Sequence, residues 1–268
     1  MEGDKMLDYI KDVLKNMPIG WLNLTTHRLD IYDEKLAKVE FLDQFEILAN
    51  DNNSNLSALS ELPTAFDYIR LGHPLSCILE WAIAKLNDLS PEQVISFLSK
   101  TSPILAILRK NLLDNRNTQI AYAGELPSSF DIEVLRTIYG YTFELKKVDK
   151  ASDILEFDGS TIFVSQQNEI SSVNFNPNID FYINLHPDFG SVLLVNGEQN
   201  NSYISEIQHV RRRETVAITP ANCLGALKSL VKQPSFDTPK TNVVENKAIV
   251  LDAIKEVSGA NTTPLVAS

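Results

Sequence analysis

Apolar residues recur along this chain first at helical and then at alternating helical and strand-like spacing. Over residues 4–16, Met6, Leu7, Ile10, Val13 and Leu14 return every three or four positions, which predicts an amphipathic helix ending before Pro18-Ile19-Gly20. A second helix is predicted over 34–48, then a polar loop at Asp51-Asn52-Asn53-Ser54-Asn55, and Glu61-Leu62-Pro63 ends the segment after it. From Pro74 onward the pattern is α/β. Leu75, Ile78, Leu79, Ala82, Ile83 and Leu86 place a helix over 75–87, followed by a strand at 94–98, a helix at 102–113 and a strand at 119–123. A helix over 128–139, closed by Gly140, leads to a strand over 141–148. Three further apolar runs, 161–165, 181–185 and 192–195, read as strands. Helices are predicted over 202–213, 219–232 and 240–256, with a Pro-bearing linker at 234–239 and a frayed tail from Ser258. Such alternation predicts a mostly parallel sheet with helices on both faces.

Composition narrows the partners. The chain has 268 residues, 44% hydrophobic and 22% charged, which is ordinary for a globular protein with a sizeable core. A net charge of −11 argues against nucleic acid, whose phosphates require clustered Lys and Arg. Arg211-Arg212-Arg213 is the one basic cluster, and between Glu206 and Glu214 it reads as a solvated helix face. Cys77 and Cys223 are too few for a disulfide scaffold or zinc site and read as small buried hydrophobes. His27, His73, His186 and His209 have no metal-ligand spacing, so no metal is expected. The N-terminus lacks a signal-like apolar run and no segment is long enough to span a bilayer, so a reduced, cytoplasmic setting is expected.

One stretch is more specific. Tyr68-Ile69-Arg70-Leu71-Gly72-His73-Pro74-Leu75, running into Leu79-Glu80 and Ala82-Ile83-Ala84-Lys85-Leu86, resembles without gaps the Y-x-R-x-G-N-P-T-x-x-x-L-E-x-x-L-A-x-L segment of the Cys/Met-metabolism family of pyridoxal-phosphate (PLP) enzymes. That family includes cystathionine γ-synthases, cystathionine lyases and O-acetylhomoserine sulfhydrylases. Weaker likenesses follow in the family's order: 94–113, the Ser165-Gln166-Gln167-Asn168-Glu169 turn, Ile179 to Ile183, Ile204 to Leu230, and Glu245 to Val250. The resemblance implies a reduced PLP-transferase (fold type I) large domain over 66–233, an N-terminal helical arm at 1–65, and a linker helix with a tail at 234–268. It also implies that the family's small C-terminal domain is missing.

The chemistry of that family is where the match stops. A PLP enzyme needs a Schiff-base lysine, a carboxylate for the pyridine nitrogen and a phosphate cradle. Aligned from Asp180, the chain has Asp188 where the lysine belongs, and no lysine lies between Lys150 and Lys228. Only eleven residues separate Asn168 from Asp180, too few for the unit that carries the carboxylate. Thr101-Ser102 stand in for the cradle's Gly-Met pair, with Lys100 beside them, and Glu125 stands nearest the tyrosine that stacks on the ring. Tyr68 and Arg70 match the pair that reaches the phosphate of a neighbouring subunit, and are vestigial candidates for a cofactor contact; the blander reading pairs Arg70 with a local carboxylate.

No bound cofactor and no catalytic residue are therefore expected. The resemblance implies a pseudoenzyme: a binding, regulatory or structural subunit, associating with itself or a catalytic paralogue through 66–90 and the N-terminal arm. Loss of a helix–strand unit is expected to uncover apolar sheet surface for such contacts. The alternative is a PLP-dependent sulfur amino-acid enzyme-like protein with residual or different activity, drawing on Glu125, His186 and Asp188 as an acid–base set.

Overall fold

In the computed structural model the strands join in one six-stranded sheet of order β1-β6-β5-β4-β2-β3. Residues 3–23, 34–65 and 71–233 are described, all within one compact unit, Met1–Pro234. The helix expected over 240–256 and the tail lie outside the described residues, as do Tyr68 and Arg70. In chain order the elements are α1 (Gly3–Asn16), α2 (Glu34–Asn50), α3 (Leu56–Ser60), α4 (Pro74–Leu86), β1 (Val94–Phe97), α5 (Ser102–Leu113), β2 (Thr118–Ala123), α6 (Ile132–Thr137) and β3 (Glu144–Lys147). They continue with β4 (Ser160–Gln166), β5 (Phe181–His186), β6 (Gly190–Val195), α7 (Ser202–Glu214) and α8 (Pro220–Leu230). Pairs β2–β3, β2–β4 and β4–β5 are parallel, and β6 alone runs antiparallel to its neighbours β1 and β5. The sheet is thus mostly parallel, as the alternating pattern predicts.

Strand alternation sorts the core into two layers. Phe181, Ile183 and Leu185 of β5 face one side, with Ile162, Val164, Leu193 and Val195, and meet Ile104, Ile107 and Leu108 of α5 and Tyr203 and Ile207 of α7. Tyr182, Phe163, Val192 and Leu194 face the other side, with α1, α4 and α8. The N-terminal helices are built into this second layer. Phe45 of α2 meets Trp81 edge-on at 5.3 Å and Tyr9 of α1 at 5.7 Å.

Helix α4 is buried almost all round, because it lies beneath α1 and α2 and against the sheet. Its start is set by His73, whose Nδ1 accepts from Ser76 N at 3.2 Å while Ser76 Oγ accepts from His73 N at 2.9 Å, a capping box. Because Nδ1 is an acceptor, Nε2 carries the proton and donates to Ile218 O at 2.7 Å, tying α4 to the segment before α8. Gly72, with φ 145°, makes the turn into this cap. Between 71 and 90 only Asp88 and Ser90 are exposed, so the stretch expected to form a contact surface is interior.

A buried charge cluster closes the outer edge of β1. Glu80 of α4, 1% exposed, accepts from Lys38 Nζ and Arg211 Nη1, each at 2.6 Å, and from the backbone N and Oγ of Ser96 at 2.8 and 2.7 Å. Lys38 also donates to Pro91 O at 2.7 Å, and Arg211 to Ser96 O at 3.3 Å. These contacts satisfy backbone groups that an edge strand otherwise leaves open. Burial pushes the Glu80 carboxyl up, but Lys38, Arg211 and Ser96 together pull it down to about 2. Arg211 is therefore not part of a solvated face, as the triple-arginine run predicts; it is 3% exposed, while Arg212 and Arg213 are on the surface.

Two elements are shorter than their periodicity predicts. Helix α6 begins only after Asp131, whose carboxylate accepts from Val134 N at 3.0 Å, instead of spanning 128–139. Strand β3 covers 144–147 instead of 141–148, because Tyr141 N bonds back to Leu135 O and Phe143 O accepts from Arg136. Cys77 and Cys223 are free and fully buried, as composition predicts.

Candidate functional site

The parallel strands β2, β4 and β5 end together, and ligands in such sheets sit outside carboxyl ends. Here the ends frame a cavity of about 490 Å³. Ile83, Phe163, Tyr182 and Val192 form an apolar floor, while Ser165, Asn184 and His186 supply polar groups from the strand ends. Asp149 and Lys150, beyond β3, and Glu169 form a charged, exposed rim.

The roof is the β4–β5 connection. Parallel neighbours usually need a helical crossover, yet residues 167–180 cross without helix or strand. The loop is held by Val173 N donating to Asn87 Oδ1 at 2.7 Å and Asn176 N donating to the Tyr182 hydroxyl at 2.6 Å. Asn176 Nδ2 adds bonds to Ala151 O and Ile154 O at 2.9 and 3.1 Å. Ile170, Val173 and Phe175 pack on the core, Phe175 meeting Tyr182 edge-on at 5.2 Å. The expected uncovering of apolar sheet surface does not occur there: Phe163 and Tyr182 are 6% and 1% exposed, because the loop takes over the cover.

Side chains on the cavity wall follow from the pleat. Tyr182, Asn184 and His186 alternate on β5 and so share its face. Ser165 sits opposite Asn184 in register and donates to its Oδ1 at 3.2 Å, while Gln167 Nε2 donates to Ser165 Oγ at 3.1 Å. His186 is 2% exposed, stacks on Phe189 at 4.6 Å, and its Nδ1 is buried with no hydrogen-bond partner among the described residues. Burial lowers its pKa to about 4; the nearby Gln167 carbonyl opposes this and the Lys100 ammonium adds to it. The ring is neutral near pH 7.

The residues singled out from the sequence are scattered. Asp188 is exposed in the β5–β6 turn and Glu125 is exposed after β2; neither borders the cavity, so they form no acid–base set with His186. Thr101 and Ser102 begin α5, but their N–H groups are directed to Ser99 Oγ at 3.3 and 3.0 Å, and Pro103 follows. Lys100 donates to Pro187 O at 3.2 Å. Asp180 lies at the opposite end of β5, bonded to Thr161 N and Asn200 Nδ2, each at 2.8 Å. In the sequence Lys150 marks only a boundary, Ser165 only the start of a turn that resembles the family's, and Asn184 and residues 170–174 carry no expected role. Their strand-end positions were a usable signal, but which ends converge is set by strand order. Among the described residues there is no group of side chains fit to hold a metal and no helix long and apolar enough to cross a membrane.

Compared by sequence, the chain matches no protein-family model and no curated protein. Similar solved structures include cystathionine gamma-lyase from yeast, at 11% identity and TM-score 0.48, covering 97% of this chain and 70% of that one. Another is cystathionine gamma-lyase from Lactobacillus plantarum complexed with L-serine, at 10% identity and TM-score 0.44, with the same coverage of 97% and 70%. A third is metB from Corynebacterium glutamicum, at 13% identity and TM-score 0.43, covering 72% of this chain and 60% of that one. The chain thus spans between 60% and 70% of the length of these structures. They include the cystathionine lyases named in the resemblance of the Tyr68–Leu86 stretch. All three TM-scores are below 0.5, and function has to be argued from the residues.

Proposed function

We propose that this chain is a non-catalytic relative of the PLP-dependent sulfur amino-acid enzymes that acts by binding, as a regulatory or structural subunit. One observation carries the reading: the cavity at the strand ends lacks the donor set for PLP. The turn after β5 offers an exposed Asp188 in place of a lysine, and a carboxylate forms no imine. The α5 N-terminus, where backbone N–H groups hold an anion, is occupied by its own Ser99 Oγ. The carboxylates that border the cavity, Asp149 and Glu169, are on its rim and not under its floor. The residues present do not fit the cofactor.

Lys150 gives the test its edge, since among the described residues it is the lysine that borders the cavity. After incubation with PLP, borohydride reduction and intact-mass analysis with peptide mapping should find no stoichiometric adduct at Lys150 or between it and Lys228. A single saturable adduct at Lys150 overturns the reading. The subunit role predicts self-association in light scattering or recovery of a specific partner in pull-downs. A clean monomer at all concentrations with no partner overturns that part. Since 71–90 is interior, the contact surface is sought at Tyr68 and Arg70, on the N-terminal arm, where Ile19 is 83% exposed, or on exposed apolar residues such as Ile138, 74% exposed. The second reading, a residual or different activity, is favoured by His186, which lines the cavity and whose Nδ1 is buried with no hydrogen-bond partner among the described residues. An imine absorbance band or turnover of a sulfur amino acid would establish it.

A further inference from the structure

We infer that the cavity over β2, β4 and β5 binds a small uncharged aromatic molecule through Asn184 and His186, and discriminates against its phosphorylated form. This goes beyond the proposed lack of catalysis and does not depend on it.

The floor selects for a ring. Phe163 and Tyr182 stand edge-to-face at 5.9 Å and 81°, flanked by Ile83 and Val192, so the bottom of the cavity is broad and apolar. Its volume, about 490 Å³, lies in the range of small-molecule sites.

The wall selects for an edge with hydrogen-bonding capacity. Asn184 uses Oδ1 to accept from Ser165, which fixes the amide and leaves Nδ2 as a donor with no bond among the described residues. Two positions along β5, on the same face, His186 Nδ1 is buried and unpartnered. Leaving such a nitrogen unsatisfied is unfavourable, and a ligand group meeting it recovers that cost. Stacking on Phe189 holds the ring in place before any ligand arrives. A ligand that accepts from Asn184 and bonds His186 through the adjacent atom fits both.

Desolvation selects against anions. The wall groups Asn184, Ser165 and His186 are neutral near pH 7, and the charges around them are mixed, Asp149 and Glu169 with Lys150 at the rim and the Lys100 ammonium beside His186. The N–H groups at the start of α5 that could hold a phosphate are already bonded to Ser99. A phosphate dianion therefore enters a site with a neutral wall and no cradle, and gives up its hydration without a matching partner.

The probes are two pairs, adenosine with AMP and pyridoxine with pyridoxine 5′-phosphate, titrated into the full chain by calorimetry and saturation-transfer NMR. None carries an aldehyde, so binding is read independently of imine formation, and failure here leaves the proposed lack of catalysis standing. At least one uncharged member should bind with Kd below ~1 mM, and its phosphorylated partner at least about tenfold more weakly. His186→Phe and Asn184→Leu should each weaken binding about tenfold with the fold unchanged. On the unsubstituted chain, the probe should move the ¹⁵N resonance of His186 Nδ1, a readout that does not rely on the variants folding. Absence of binding by both uncharged probes overturns the inference. So do equal or tighter binding of the phosphorylated forms, folded variants that bind normally, or an unmoved His186 resonance at saturation.

Discussion

Replacing Glu80 by Gln keeps the shape of the side chain and removes the charge that Lys38 and Arg211 face. The two cations are then buried without an anion, at 6% and 3% exposure. A carboxyl held at about 2 instead of its ordinary 4.5 is worth ~3 kcal/mol at ~1.4 kcal/mol per tenfold. Breaking a buried ion pair from one side costs about 3–5 kcal/mol in general. The two figures agree, and for a unit of this size they correspond to a fall in Tm of about 10 °C. Urea denaturation followed by circular dichroism should give this loss with an unchanged slope. The sharper test is the triple variant Glu80→Leu, Lys38→Met, Arg211→Leu. For an ordinary buried ion cluster, apolar replacement often restores or raises stability. Here it should not, because the cluster also satisfies Ser96 N, Ser96 O and Pro91 O on and beside an open strand edge. Each backbone group left unpaired costs ~1–3 kcal/mol, so the triple variant should stay at least ~2 kcal/mol below the parent. A triple variant as stable as the parent would refute the idea that these charges close the sheet, and Glu80→Gln within about 0.5 kcal/mol would refute the cluster's role altogether.

Acid should weaken the fold in two stages. His73 and His186 are both held at about 4 against an ordinary 6.5, chiefly by burial. Their stabilising contribution is complete above pH 6.5 and is lost as pH falls to 4, by up to ~3 kcal/mol each; the Glu80 contribution follows between 4.5 and 2. A urea midpoint constant from pH 7 to 4 would contradict this, and His73→Asn, which keeps a capping acceptor, should make the decline shallower. Gly190→Ala should cost at least ~2 kcal/mol, since φ is +112° and a Cβ would stand 2.2 Å from Phe97 O. By contrast Gly225→Ala, in α8 with open space around it, should stabilise by ~0.5–1 kcal/mol in the same melts.

Local periodicity was enough for most elements. Residues 75–87, 102–113, 119–123, 181–185 and 192–195 each carry a pattern that only one conformation can bury, and each forms as predicted within a residue or two. Two-sided cover of a mostly parallel sheet was also legible in the alternation of strands with helices, and β4, β5 and β6 are buried on both faces. Periodicity failed where a single hydrogen bond outweighs it, as at Asp131, which starts α6 late, and at Tyr141, which delays β3. Charge failed for a different reason. Arg211 sits in a run of three arginines, and only the packing of α7 against β1 and α4 brings it to Glu80, which lies 131 positions away in sequence. The candidate site belongs mostly to the tertiary level. His186 is legible as a candidate acid–base group, but its companions in the site, Asn184 and Lys150, are not, since nothing in their neighbourhoods says which strand ends converge or that residues 167–180 fold over them. A cavity is made by strand order and loop path, and those are settled by long-range burial, to which a sequence window has no access.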